Sequence, residues 1–285
     1  VTRFKKGDKV VTLFNQGHLA GSVTDGILQT GLGGSMDGTL REYAALSEQG
    51  LVKCPANLSL TEAATLPCAA LTAWNALYGL ESRALKPGHT VVTQGTGGVS
   101  IFALQFAKAA GARVIATTSS AKKAETLKKL GADHVINYKE TPNWGEEAKK
   151  LTLDGKGAEH VIEVAGPTTL AQSLKSIAYD GVISKSSRET LHVVSTDHLP
   201  AIIGFVGGFS KEQPTFLDCL SHQCTVRGLL VGSRLQFEDM NRAIEQNNIH
   251  PIVDEKVFPL SELKEAYQYM FDQKHFGKLA IKISN

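Results

Sequence analysis

The chain has 285 residues, 42% of them hydrophobic and 20% charged, with a formal net charge of +2. That balance belongs to a globular chain long enough to bury a substantial core, and it excludes a disordered one. No dense Lys/Arg run offers a footprint for nucleic acid or an anionic membrane, and no uninterrupted apolar stretch reaches the length that spans a bilayer. Four cysteines (Cys54, Cys68, Cys219 and Cys224) form no C-x-x-C pair, which argues against a disulfide framework and against a four-cysteine zinc knot. The opening Val-Thr-Arg-Phe-Lys-Lys does not read as a signal peptide, so a reducing, cytoplasmic setting is expected. The chain starts within what reads as a strand and is expected to be incomplete at its N-terminus.

Residues 9–14 read as a strand and 31–38 as a glycine-dense loop, with two further strands expected at 39–46 and 51–54 before Pro55. Ser59 followed by Glu62 is a capping box that opens a helix, and 69–78 is helical. From Thr90 the pattern becomes regular. Strands are expected at 90–94, 113–117, 134–137, 160–164 and 181–184, alternating with helices at 98–110, 121–130, 144–151 and 168–177. Such repeats imply a parallel sheet with right-handed crossovers and helices on both faces, the doubly wound Rossmann arrangement. The tail holds helices at 237–247 and 261–271, a strand-like 257–258 and a last strand at 278–283. The expected division is therefore 1–69, a Rossmann domain at 70–232, and 233–285. The two ends are each too small to stand alone and are expected to pack as one discontinuous β-rich domain.

Between the strand at 90–94 and the next helix lies Gly95-Thr-Gly-Gly-Val-Ser100. Here a Rossmann fold holds a pyrophosphate. Gly95 permits the sharp turn, Gly97 lets the backbone approach the phosphates, and the helix opening at Gly98 and Val99 presents N–H groups and the positive end of its dipole. A third glycine or alanine is usual, and Ser100 stands there instead. A lone glycine pattern usually marks only a turn; the strand before it and the repeating units after it carry the functional reading.

The end of the second strand separates the two nicotinamide cofactors. NAD sites place a carboxylate there for the ribose hydroxyls, whereas this strand runs on into Ser119-Ser120-Ala-Lys122-Lys123 with no acid before Glu125. A carboxylate would repel the 2′-phosphate of NADP, and serines with a lysine can accept it. The cofactor expected is NADP, with Ser119 and Lys123 as phosphate partners. Lys122 is read as the solvated face of the following helix.

The strings from Leu66-Pro-Cys-Ala-Ala through Lys-Pro-Gly-His-Thr-Val-Val-Thr-Gln-Gly-Thr-Gly-Gly-Val to Gly-Ala-Asp-His-Val-Ile-Asn-Tyr138 resemble the medium-chain dehydrogenase/reductase superfamily. Within it they are most similar to the zinc-independent alcohol dehydrogenase-like and quinone reductase-like branch. The resemblance implies a discontinuous GroES-like catalytic domain made from both ends of the chain. Residue by residue it implies cofactor contacts at Thr72, Tyr138, Gly204, Phe205, Val231 and Lys278, beside Gly95, Gly97, Gly98, Val99, Ser119 and Lys123. Cys68 aligns with the last catalytic zinc ligand of classical alcohol dehydrogenases. The other two ligands that a catalytic zinc needs are not found, so no metal is expected and Cys68 is read as a small buried thiol.

One departure from the family pattern is the polar stretch 185–201, which intervenes where the strand at 181–184 should run directly into Ile-Ile-Gly-Phe-Val-Gly-Gly. Its codons can carry donor, branch-point and acceptor signals, and it is read as a translated intron, with a genuine surface loop as the rival. Sequencing the mature transcript decides between them.

The reaction expected is NADPH-dependent hydride transfer to or from a small carbonyl, quinone, enone or alcohol. No Ser/His/Asp or paired-carboxylate arrangement stands out, and no catalytic residue is assigned. A non-catalytic NADPH-binding relative, a truncated inactive product and an enoyl reductase of a biosynthetic pathway stay open. The expected partner is a small-molecule substrate, not nucleic acid or a membrane, and a homodimer is left open.

Overall fold

The computed structural model describes residues 1–186 and 214–283. In chain order its strands and α-helices are β1 (Val10–Thr12), α1 (Asp25–Leu28), β2 (Leu51–Lys53), α2 (Leu60–Ala63), α3 (Leu71–Tyr78), β3 (Thr90–Gln94), α4 (Gly98–Ala109), β4 (Arg113–Thr118), α5 (Ala121–Lys129) and β5 (His134–Asn137). There follow α6 (Trp144–Lys150), β6 (Ala158–Glu163), α7 (Leu170–Ser176), β7 (Ile177–Ser186), α8 (Phe216–His222), β8 (Thr225–Leu229), α9 (Arg234–Gln246), β9 (Val253–Pro259), α10 (Leu263–Phe271) and β10 (Lys278–Lys282). The chain resolves into two compact units. The first comprises 1–75, 97–102 and 231–285, and the second 76–96 and 103–230.

The second unit holds one six-stranded sheet in the order β5-β4-β3-β6-β7-β8, every pairing parallel. The fold is α/β, and this is the Rossmann strand order, which reverses between β3 and β6. Every residue of β3 is buried, as a central parallel strand covered on both faces requires. Val92, Ile115, Ile136, Trp144, Val161, Leu174 and Ile183 form one apolar cluster. Ser120 caps α5 by accepting the Lys123 N–H at 3.4 Å, which explains why that helix starts where it does.

The first unit has less regular structure. β1 pairs antiparallel with β2, and β10 pairs parallel with β9. The Ser59–Glu62 capping box forms around α2 as expected, and a second box, Ser233 with Gln236, opens α9. Leu13, Leu66, Leu71, Phe237 and Phe258 are fully buried in this unit.

Several expectations need correction. Residues 39–46 form no strand; they are almost all exposed, and Tyr43 reaches 89%. Alternation alone does not make a strand, which also needs a ladder partner and a buried face. The helix expected at 69–78 begins at Leu71, after a π-type turn over Leu66–Ala70 that includes Pro67. The helix expected at 168–177 stops at Ser176, and Ile177 already begins the long strand β7. α8 was not anticipated. Of the stretch 185–201, Lys185 and Ser186 finish β7 and the rest lies outside the described residues, as do Gly204 and Phe205. Among the described residues, no helix is long and apolar enough to cross a membrane.

Candidate functional site

In a doubly wound sheet, ligands bind beyond the carboxyl ends of the strands where the order reverses. That place lies at the ends of β3 and β6. Gly95 follows β3 with φ at +71°, a conformation that strains any residue with a Cβ, and its N–H donates to Thr117 O at 2.9 Å. Nothing lies within 4 Å of where a Cβ would stand on Gly95 or Gly97, so the backbone of the turn is bare. The chain then enters α4, twelve residues long, whose first N–H groups have no partner within the helix. A pyrophosphate fits a cradle of this kind.

β4 ends at Thr118, and Ser119 follows at its carboxyl end. Lys123 lies in the first turn of α5, half-buried, while Lys122 is exposed. Tyr138 follows β5, its N–H donating to Thr118 O at 3.0 Å, and it is 40% exposed. Thus Gly95, Ser119, Lys123 and Tyr138 gather at the carboxyl ends of three neighbouring parallel strands. Ser120 is occupied as the α5 cap, which leaves Ser119 as the serine free of that duty.

The structure adds two residues to this end of the sheet. Glu163, at the end of β6, is 0% exposed. Its Oε1 accepts the N–H groups of Ala165 (3.0 Å) and Gly166 (2.9 Å) and the Thr169 hydroxyl (2.7 Å). Its Oε2 accepts Gln94 Nε2 at 2.7 Å and the Ser173 hydroxyl at 2.5 Å. A buried carboxylate is costly unless donors replace its water, and five do so here. Gln94 also accepts the Val164 N–H at 3.2 Å through Oε1. Together Gln94 and Glu163 fix the loop after β6 beside the Gly95 turn. A Gln and a Glu in two apolar strands were the available signal, but the pairing spans 69 residues and no local pattern displays it.

The first unit places its own candidates. Gly97 bridges to Gly277, and a Cβ on Gly98 would overlap the stem of Lys278, which would then have to shift. Val99 follows in the same helix turn. Thr72 is buried in the first turn of α3. Val231 has φ at +44°, a strained value for a β-branched residue, and its carbonyl accepts Asn75 Nδ2 at 2.9 Å. Gln236 Nε2 in turn donates to Asn75 Oδ1 at 3.3 Å.

A cavity of about 520 Å³ in this unit is lined by residues that include Leu32, Arg41, Thr65, Pro67, Cys68 and Lys278. Cys68 is the one cysteine on its wall, and among the described residues no three His, Cys, Asp or Glu side chains come together to hold a metal ion. The donor set present among the described residues does not fit zinc.

A model of zinc-binding dehydrogenases matches residues 98–246. A zinc-type alcohol dehydrogenase-like protein of Schizosaccharomyces pombe is 48% identical over 283 residues, 99% of this chain and 77% of that protein. An alcohol dehydrogenase of Geobacillus stearothermophilus is 28% identical, the alignment spanning 99% of this chain and 78% of that protein. A solved structure described as an NAD-dependent alcohol dehydrogenase superposes with a TM-score of 0.80 at 30% identity, covering 99% of this chain and 78% of that one. A nicotinamide cofactor is typical of such proteins, and NAD is named for that structure. With a matching model over half its length and a relative at 48% identity, this chain belongs to the zinc-binding dehydrogenase family of medium-chain, alcohol dehydrogenase-like oxidoreductases.

Proposed function

We propose that the chain binds NADPH in preference to NADH and transfers a hydride between it and a small carbonyl, quinone, enone or alcohol. The observation that carries the cofactor choice is the end of β4, where Ser119 and Lys123 occupy ground that an NAD site gives to a carboxylate. When bound, the nicotinamide supplies or accepts the hydride. The protein's work is to bind and align. The bare turn at Gly95 and Gly97 and the opening of α4 receive the pyrophosphate, and Ser119 and Lys123 receive the 2′-phosphate, with Tyr138 beside them. Gln94 and Glu163 hold the loop after β6 still, so that this loop does not have to order itself on binding. Thr72, Gly98, Val99, Val231 and Lys278 remain cofactor contacts on the family resemblance. No side chain is assigned to proton transfer.

Fluorescence titration with NADPH and NADH tests the reading. One charge-assisted hydrogen bond is worth about 1.5–3 kcal/mol, so NADPH should bind one to two decades more tightly. Equal affinities, or preference for NADH, overturn it. Oxidation of bound NADPH by a quinone and aldehyde panel then separates an enzyme from a non-catalytic binder.

A further inference from the structure

Cys219 and Cys224 have no part in the cofactor site, yet the fold brings them together. Helix α8 carries Cys219 and is followed by Gln223 with φ at +47°. The Gln223 N–H donates to Leu220 O at 3.2 Å, and the Cys224 N–H reaches back to Cys219 O at 3.1 Å. This pair of bonds is the Schellman ending of a helix, in which the side chains at the two ends of the longer bond lie against each other, usually as an apolar contact. Here both are cysteines, so the helix ending places two thiols at the positions that usually carry that contact. The turn is anchored as well, because the Gln223 carbonyl accepts the Asp180 N–H at 2.8 Å. Both cysteines are half-buried, and Cys224 packs on the apolar cluster of the sheet.

We propose that Cys219 and Cys224 are an oxidisable dithiol, which closes to an intramolecular disulfide when a peroxide acts as the two-electron oxidant. Cys219 reacts first. Its thiolate attacks one peroxide oxygen, the O–O bond breaks, and after proton transfer the products are a sulfenic acid on Cys219 and one water. The Cys224 sulfur then attacks the Cys219 sulfur. The S–S bond forms, the S–O bond breaks, and the departing hydroxide leaves with the Cys224 proton as a second water. The two sulfurs lose two electrons and the peroxide gains them. The order follows from the surroundings: burial, with the charge and hydrogen bond of Cys219, pushes the Cys224 thiol up to about 11, so it stays protonated and acts second. In a reducing compartment such a pair rests as the dithiol and oxidises transiently.

Both cysteines lie on one tryptic peptide, residues 212–227, so the product is read directly by mass. The reduced 285-residue chain is treated with hydrogen peroxide, alkylated with iodoacetamide and digested. The expected peptide is lighter by two hydrogen atoms and carries no alkyl group, and dithiothreitol before alkylation restores both alkyl groups. Peptides bearing Cys54 and Cys68 remain alkylated. In Cys224→Ser the oxidation stops at Cys219 as a sulfenic acid that dimedone captures; in Cys219→Ser, Cys224 stays alkylatable. A wild-type peptide that keeps two alkyl groups while peroxide oxidises other thiols overturns the proposal. So does a Cys219 disulfide to any partner except Cys224. These readouts use no cofactor, so they stand or fall apart from the NADPH reading, and the wild-type mass decides even if a serine variant fails to fold.

Discussion

The two units of the molecule hold themselves together differently. The second unit is built on one parallel sheet whose central strand is buried at every position, and its cofactor candidates fall where adjacent strands end. The first unit is assembled from three stretches of chain and, among the described residues, carries two two-stranded ladders. Its order comes from capping boxes, from a buried polar link between Asn75 and Val231, and from a few large side chains such as Phe237 and Phe258. A continuous sheet concentrates stability and site geometry in the same residues. A patchwork spreads them over contacts between distant segments.

The largest expected effect tests the sheet's share. Phe106 is 1% exposed on α4 within the second unit, and Phe106→Ala should lower the unfolding free energy by about 3–5 kcal/mol, read from urea denaturation. A loss below 1 kcal/mol would mean that the sheet's helix layer is not where stability resides.

Next comes the strand-end site. Lys123→Glu should weaken NADPH by one to two decades, about 1.5–3 kcal/mol, while NADH affinity changes little. A variant that weakened both cofactors equally would remove Lys123 from 2′-phosphate recognition.

A third effect concerns protons. His160, on β6, is 2% exposed, and burial, followed by the nearby His89, lowers its pKa from 6.5 to about 4. The unfolded chain therefore takes up this proton before the folded one does. Stability is fully present above pH 6.5 and is lost as the pH falls toward 4, by up to about 1.4 kcal/mol per pH unit. In His160→Gln this part of the acid slope should vanish, which equilibrium unfolding at a series of pH values would show; an unchanged slope would assign it to other groups.

The smallest effect lies in the first unit. Tyr43 is 89% exposed in the stretch that fails to form a strand, and Tyr43→Ala should change stability by no more than about 0.5 kcal/mol. A thermal shift large enough to contradict this would show that the segment contributes to the folded unit after all.

Much of the second unit was legible from local pattern. The alternation of buried strands and amphipathic helices, with Gly111 and Gly131 ending two of them, places β3 to β6 within a residue or two. The turn at 95–98 was legible because strand, glycines and helix are consecutive. The first unit resisted the same reading. Residues 39–46 alternate convincingly, yet they find no ladder among the described residues, and local periodicity carries no information about partners. Near the site, the sequence reading named Ser119, and only the structure shows that the neighbouring Ser120 is taken up as the cap of α5.

What the sequence by itself determined is the α/β class, the position of the glycine turn and the absence of an acid after β4, because each depends on neighbours a few residues apart. Only the tertiary structure decided that Glu163 is a fully buried carboxylate satisfied by five donors, that Val231 is held at a positive φ, and that the chain folds back so that the Cys224 N–H bonds the Cys219 carbonyl. These features depend on desolvation, strain and the folding back of the chain. Such terms have no value until the distant, or folded-back, parts of the chain are in place.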